Sequence, residues 1–403
     1  MTAHSHGHGP DVQVGARVRR VLIVLVAAAG LLTIVGGVLL GPGGRERPDL
    51  SVAGVTGQFV DGEVVSVTDE CENASSIECD LLTVRLEEGP DAGGTTEIEL
   101  TSSPGRPELD VGDGVVLGYN PDAQPGFQYY FADLQRKPLL FWLAALFAIS
   151  VVLLGGMRGF TALVGLVATL VVLLAFALPA IIDGRSAIWV AVVAASAISF
   201  LALYLAHGLT AMTTVALLGT LASLGLTAAL ATVFVELARF SGFVSEEAFL
   251  LAAAAGSIDL GGLMLAGVVI GALGALDDMT VTQASAVWEL HHANPAQGWR
   301  QLYGAGLRIG RDHVASTVNT LVLAYAGASM PLLVLFVLSG QPFASVANSE
   351  LVATEIVRTL VGSIGLVASV PLTTWLASLV VAGAAVRRSD AADAPSAPDD
   401  PEP

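Results

Sequence analysis

Eight apolar runs, each close to bilayer length, divide this 403-residue chain. They cover 21–40, 139–156, 160–182, 187–205, 209–235, 260–276, 314–338 and 359–386. A spanning helix needs about 20 mostly apolar residues to cross a hydrocarbon core of about 30 Å. Inside that core every backbone N–H and C=O must be paired within the segment, so such runs fold as helices. Composition agrees. Hydrophobic residues make up 54% and charged residues 13%, against roughly 25% charged in a soluble domain. The expected fold is a polytopic α-helical membrane protein of about eight spans, with the lipid bilayer as its first partner.

One segment departs from this pattern. Residues 45–137, between the first two spans, hold 19 acidic and six basic residues, a net of −13 out of −18 for the chain. Period-two alternation runs through Gly62-Glu63-Val64-Val65-Ser66-Val67, Leu82-Thr83-Val84-Arg85-Leu86, Thr96-Glu97-Ile98-Glu99-Leu100 and Gly114-Val115-Val116-Leu117-Gly118-Tyr119. Gly89-Pro90-Asp91-Ala92-Gly93-Gly94 and Ser103-Pro104-Gly105 supply turns between them. Short strands at this spacing predict a small all-β, barrel-like domain. Leu109-Asp110-Val111-Gly112-Asp113-Gly114 has the form of a tight turn into a strand. The acidic surface excludes nucleic acid as a ligand.

Cys71 and Cys79, the two cysteines, lie in this domain. In an oxidising exterior they close a small disulfide loop; otherwise they are free thiols. No further Cys/His pattern indicates zinc, and Asp69, Glu70 and Glu72 make no recognised calcium loop. No metal and no cofactor are expected.

Basic residues set the orientation. Arg17, Arg19 and Arg20 precede the first span and hold the N-terminus in the cytoplasm. Alternating the spans from there places 45–137 outside and the C-terminus inside. Arg158, Arg300, Arg308, Arg311, Arg387 and Arg388 then fall on the cytoplasmic side, while short outer loops hold Arg185, Arg239 and Arg358. Arg136 and Lys137 dissent. Residues 1–20, with His4, His6 and His8, and the acidic tail 389–403 are expected to be disordered and cytoplasmic. Two shorter stretches fit no span. Residues 247–258 are apolar but too short, and either form a re-entrant half-helix or lengthen the next span. Residues 296–309, with Trp299, Leu302, Tyr303 and Leu307 beside Arg300 and Arg308, suit an interfacial helix, which Gly304 and Gly306 weaken.

Chemistry concentrates after residue 256. A helix through 267–289 puts Gly267, Gly271, Gly274, Asp278, Thr282, Ser285 and Glu289 on one stripe. The three glycines offer a smooth surface for a neighbouring helix. The polar half lines a pathway or forms an exposed helix end. Asp312, Ser316 and Asn319 share a face on the following span, with Thr320 beside them. Asn319 either lines the same pathway or makes an interhelical hydrogen bond; Asp312 either lines it or pairs with Arg308 or Arg311. Asp259 would serve the outer side.

Asp259-Leu260 with Gly262-Leu263, Ile270-Gly271-Ala272-Leu273-Gly274-Ala275, Asp278, Gly310-Arg311-Asp312 and Asn319-Thr320-Leu321-Val322-Leu323-Ala324-Tyr325-Ala326-Gly327 resemble the YibE/F family of bacterial membrane proteins. Pro371-Leu372-Thr373 fits as well. The likeness covers roughly 139–386, and the order of outer domain then spans is similar too. One departure is Val314-Ala315-Ser316-Thr317-Val318, where the family tends to small residues and methionine. The resemblance implies a multi-pass bacterial membrane protein suspected of transport, and supplies no catalytic residues.

These readings favour a transporter or permeation protein of the bacterial cytoplasmic membrane, ion-coupled through buried Asp and Asn on two adjacent helices. The alternative is an envelope structural or assembly protein that binds a partner through its outer β domain. Either would accommodate a homo-oligomer. Enzymatic activity is not expected. Asp277 and Asp278 are adjacent and point to different sides of a helix, and the metalloprotease, serine-elbow and phosphate-loop motifs are absent.

Overall fold

The computed structural model describes residues 15–44, 58–68, 79–101, 107–124, 126–254 and 258–392. Of the tails expected at 1–20 and 389–403, residues 1–14 and 393–403 lie outside these residues, as do Cys71, Asp69, Glu70 and Glu72. The chain forms two units, Arg47–Leu154, and Met1–Glu46 with Gly155–Pro403.

In the first unit, β1 (Gln58–Thr68), β2 (Cys79–Leu86), β3 (Thr95–Thr101), β4 (Gly114–Tyr119) and β5 (Tyr129–Leu134) pair antiparallel in the order β3-β2-β1-β4-β5. Alternation sends Val60 and Val64, Leu82, Val84 and Leu86, and Val115 and Leu117 to one buried face. Irregularities at Val64/Ser66 and Val116/Leu117 bend the strands, and the sheet curls into a half-barrel. The glycine turns sit where the sequence puts them, with φ at 94° for Gly89 and 97° for Gly112, conformations that side chains disfavour. Strand β5 was not legible, because Tyr129-Tyr130-Phe131 breaks the alternation. The Tyr129 hydroxyl donates to Asp91 at 2.8 Å. Burial, and then Asp91, push that phenol up to about 12. Cys79 is buried and disulfide-bonded.

The helices are α1 (Ala16–Leu40), α2 (Lys137–Val172), α3 (Leu178–Ile182), α4 (Ala187–His207), α5 (Ala211–Ala238), α6 (Glu246–Ala254), α7 (Leu260–Ala293), α8 (Trp299–Ala328), α9 (Met330–Ser339), α10 (Phe343–Asn348) and α11 (Glu350–Ala392). Six are long and apolar enough to cross a membrane, one of them the continuous Lys137–Ile182, and α8 with α9 makes a seventh as a bent pair. The sequence predicts eight because it counts 139–156 and 160–182 separately; both lie in that one 46-residue element, which is more than twice the length of a single crossing. Gly156 separates them with non-helical φ 57° and ψ −135°.

Three further expectations are corrected. Arg17, Arg19 and Arg20 belong to α1, and residues 389–392 to α11, instead of to disordered tails. Residues 296–309 form no separate helix, since α8 runs unbroken from Trp299 to Ala328. The glycines counted against a helix there sit at a helix contact. The run 314–338 breaks instead near Ser329, with a 66° bend. Pro331, in the first turn of α9, lacks the N–H needed to continue the preceding helix. Of 247–258, the residues of α6 form a short helix and 255–257 lie outside the described residues.

Helices α4, α5, α7 and α11 make the centre of the second unit; α1 lies on α4 and α5, and α8 on α7 and α11. A Cβ on Gly219 of α5 would meet the Thr373 hydroxyl of α11 at 2.2 Å, and one on Gly365 of α11 the Thr227 hydroxyl of α5 at 2.0 Å. The pairing runs up one helix as it runs down the other, so these two are antiparallel and closely packed. Thr210 caps α5, accepting from the Thr213 N–H at 3.0 Å. Thr210→Ala is expected to cost about 1 kcal/mol, measurable as an earlier midpoint in denaturant titration; an unchanged midpoint would contradict the cap's role.

Candidate functional site

α7 carries the site. Val269, Leu273, Leu276, Thr280, Gln283 and Val287 form its buried face. Asp277, four residues after Leu273 and three before Thr280, is carried towards that face. It is half-buried. Asp278, about 100° further round the helix, is exposed.

Three hydroxyls, all fully buried, surround Asp277. Ser199 of α4 donates to its carboxylate at 3.2 Å. Thr220 of α5 reaches the same carboxylate and shares a 2.7 Å hydrogen bond with Thr280 of α7. Thr280 also donates to the Asp277 backbone carbonyl at 3.1 Å. The carboxylate has no ion-pair partner among the described residues.

Asp277 opens onto a cavity of about 500 Å³. Ala162, Gly165 and Thr169 of α2 form one wall, and Ile198, Ala202 and His207 of α4 another. Gly274, Asp278, Val281 and Thr282 complete the α7 side. No lysine or arginine lines it. A Cβ on Gly274 would meet nothing within 4 Å, so this glycine contributes space.

The structure gathers only part of the predicted site. Asp278 and Thr282 line the cavity. Asp312, Ser316 and Asn319 do not: all three are exposed on α8. The reason is the contact face of α8, fixed by Leu302, Gly306 and Gly310, which are buried at intervals of four. Asp312 lies two residues past Gly310 and so on the far side. The expected pairing of polar faces on two adjacent helices is therefore replaced by α7 facing α4 and α5. Asp259 is exposed at the N-terminus of α7, apart from the cavity, where a carboxylate suits the helix dipole.

The glycine stripe is corrected too. Gly267, Gly271 and Gly274 are exposed, and only Gly271 takes a close approach: a Cβ there would lie 2.9 Å from the Tyr325 hydroxyl. Close helix packing falls to Gly306 and Gly310. A Cβ on Gly306 would lie 2.7 Å from Thr374, and one on Gly310 would lie 2.4 Å from Val370 and 2.8 Å from Gln283. Gln283, which sequence reasoning passed over, is 2% exposed. Its amide donates to the Gly306 carbonyl at 2.8 Å and to Thr374 at 2.7 Å, tying α7, α8 and α11 together.

Asp277 was also missed as a site residue. Its signal was the apolar stripe through Val269, Leu273 and Leu276, which continues past it into Thr280 and Val287.

A family model described as YibE/F-like protein matches residues 143–383, more than half of the chain. The chain belongs to the YibE/F-like family. Every residue of the cavity lies within the YibE/F-like region, whereas the five strands lie outside it. With its apolar helices, this membership makes the chain a membrane protein. Neither the comparison with curated proteins nor that with solved structures gives a match.

Proposed function

We propose that this YibE/F-like protein conducts or transports ions across a bacterial cytoplasmic membrane through the cavity beside Asp277. One observation carries the reading: a carboxylate among three buried hydroxyls opens onto a cavity inside an apolar bundle. Depth supports it. α4 has 21 residues, the length of one crossing, so its midpoint near Ala197 marks the middle of the bilayer. Ser199 is two residues on, about 3 Å along the axis, and it holds Asp277. An Asp at that depth costs roughly 2.5–3.5 kcal/mol on insertion scales, and such residues mark ion or proton pathways.

Orientation follows from the arginines. With the N-terminus and Arg158 inside, and Lys137–Ile182 crossing once on each side of Gly156, the half-barrel lies outside and the C-terminus inside. The cavity then opens from mid-membrane, at Asp277, towards the cytoplasmic ends of α4 and α7, at His207 and Thr282.

The test is flux in proteoliposomes, read by a lumenal pH dye after a membrane potential or a sodium gradient is imposed. Wild-type protein should give flux. Gly274→Trp should block it without loss of folding, since its side chain enters open space. Absence of flux in wild type, or full flux through Gly274→Trp, would remove the cavity as a route.

A further inference from the structure

We infer that Asp277, Ser199, Thr220 and Thr280 bind one monovalent alkali cation, with sodium as its type. This deepens the ion-transport reading and rests on it. The donor set is oxygen only, one carboxylate with hydroxyls from three helices. Oxygen ligands suit hard cations.

Charge decides the valence. Asp277 has no basic partner among the described residues, so a cation held beside it would meet one uncompensated negative charge. One cation of single charge neutralises one carboxylate; a divalent ion would leave a buried positive charge. Among the described residues no group of three His, Cys, Asp or Glu side chains could hold a metal ion, which is the set a tight divalent site would draw on.

The other charged or titratable side chains at the cavity wall are Asp278 of α7 and His207 of α4; α5, α8 and α11 supply none to it.

The test uses purified full-length protein in detergent, with NaCl compared against choline chloride at equal ionic strength. NaCl should raise the melting temperature in proportion to the logarithm of its concentration. Asp277→Asn should abolish this shift and Asp312→Asn should leave it unchanged. Ser199→Ala, should Asp277→Asn fail to fold, should raise the sodium concentration required about tenfold. No sodium-specific shift in wild type would overturn the inference, as would a response to CaCl₂ with none to NaCl. Potential-driven flux that persists without sodium binding would leave the transport reading standing, whereas sodium binding without flux would remove transport and keep the site.

Discussion

Asp277→Asn is expected to lower ion flux in proteoliposomes by roughly tenfold or more, the equivalent of at least about 1.4 kcal/mol in the barrier, while Asp312→Asn should leave it near the wild-type rate. Asparagine keeps the shape of the side chain and can still hydrogen-bond Ser199, so the fold should persist. What it removes is the negative charge. Asp312, exposed on α8 on the side away from α7, serves as the comparison because the sequence alone ranks it with the site. Equal flux from wild type and Asp277→Asn would show that the buried carboxylate is structural.

The second large effect concerns stability. At Gly310, a side chain would meet Val370 and Gln283 at distances no packed atoms adopt, 2.4 Å and 2.8 Å from its Cβ. Overpacking of this kind costs about 1–3 kcal/mol. If Gln283 moves aside it also gives up the Gly306 and Thr374 partners of its amide, and an unsatisfied buried polar group costs about another 1–3 kcal/mol. Helix propensity works the other way by less than about 1 kcal/mol, so the clash wins. Gly310→Val is therefore expected to destabilise by on the order of 3 kcal/mol, seen as a lower midpoint in denaturant. Gly274→Ala, in open space, should be neutral or gain up to about 1 kcal/mol. Equal stability of the two variants would mean that α8 does not pack on α7 and α11 as described.

The contrast between Asp277 and Asp278 shows where sequence reasoning stopped. Apolar length alone was enough to find α1, α4 and α5, because a bilayer-length run has few other ways to satisfy its backbone. Alternation likewise placed β1 to β4. Which side of α7 faces the bundle is a different question. The stripe of Gly267, Gly271, Gly274, Asp278 and Thr282 is regular, but so is the one through Leu273, Asp277 and Thr280. Helical periodicity cannot choose between two regular stripes; neighbouring helices do, and here Ser199 and Thr220 meet the second. The same limit hid Gln283. An amide in a polar stretch reads as surface until Gly306 and Gly310 bring α8 against it. The break at Gly156 was hidden for another reason, since a glycine between two apolar runs reads as a loop, whereas the helix resumes directly after it.

Ion movement past Asp277 requires that water reach its cavity from the cytoplasmic side. Cysteine accessibility tests it most directly, using Thr282→Cys at the cavity wall and Ala194→Cys, fully buried on α4, in sealed inverted and right-side-out vesicles. With a membrane-impermeant thiol reagent, Thr282→Cys should label in the inverted vesicles and not in the others, and Ala194→Cys in neither. A Thr282→Cys that stays inert from both sides, or labels only from the outside, would contradict the account.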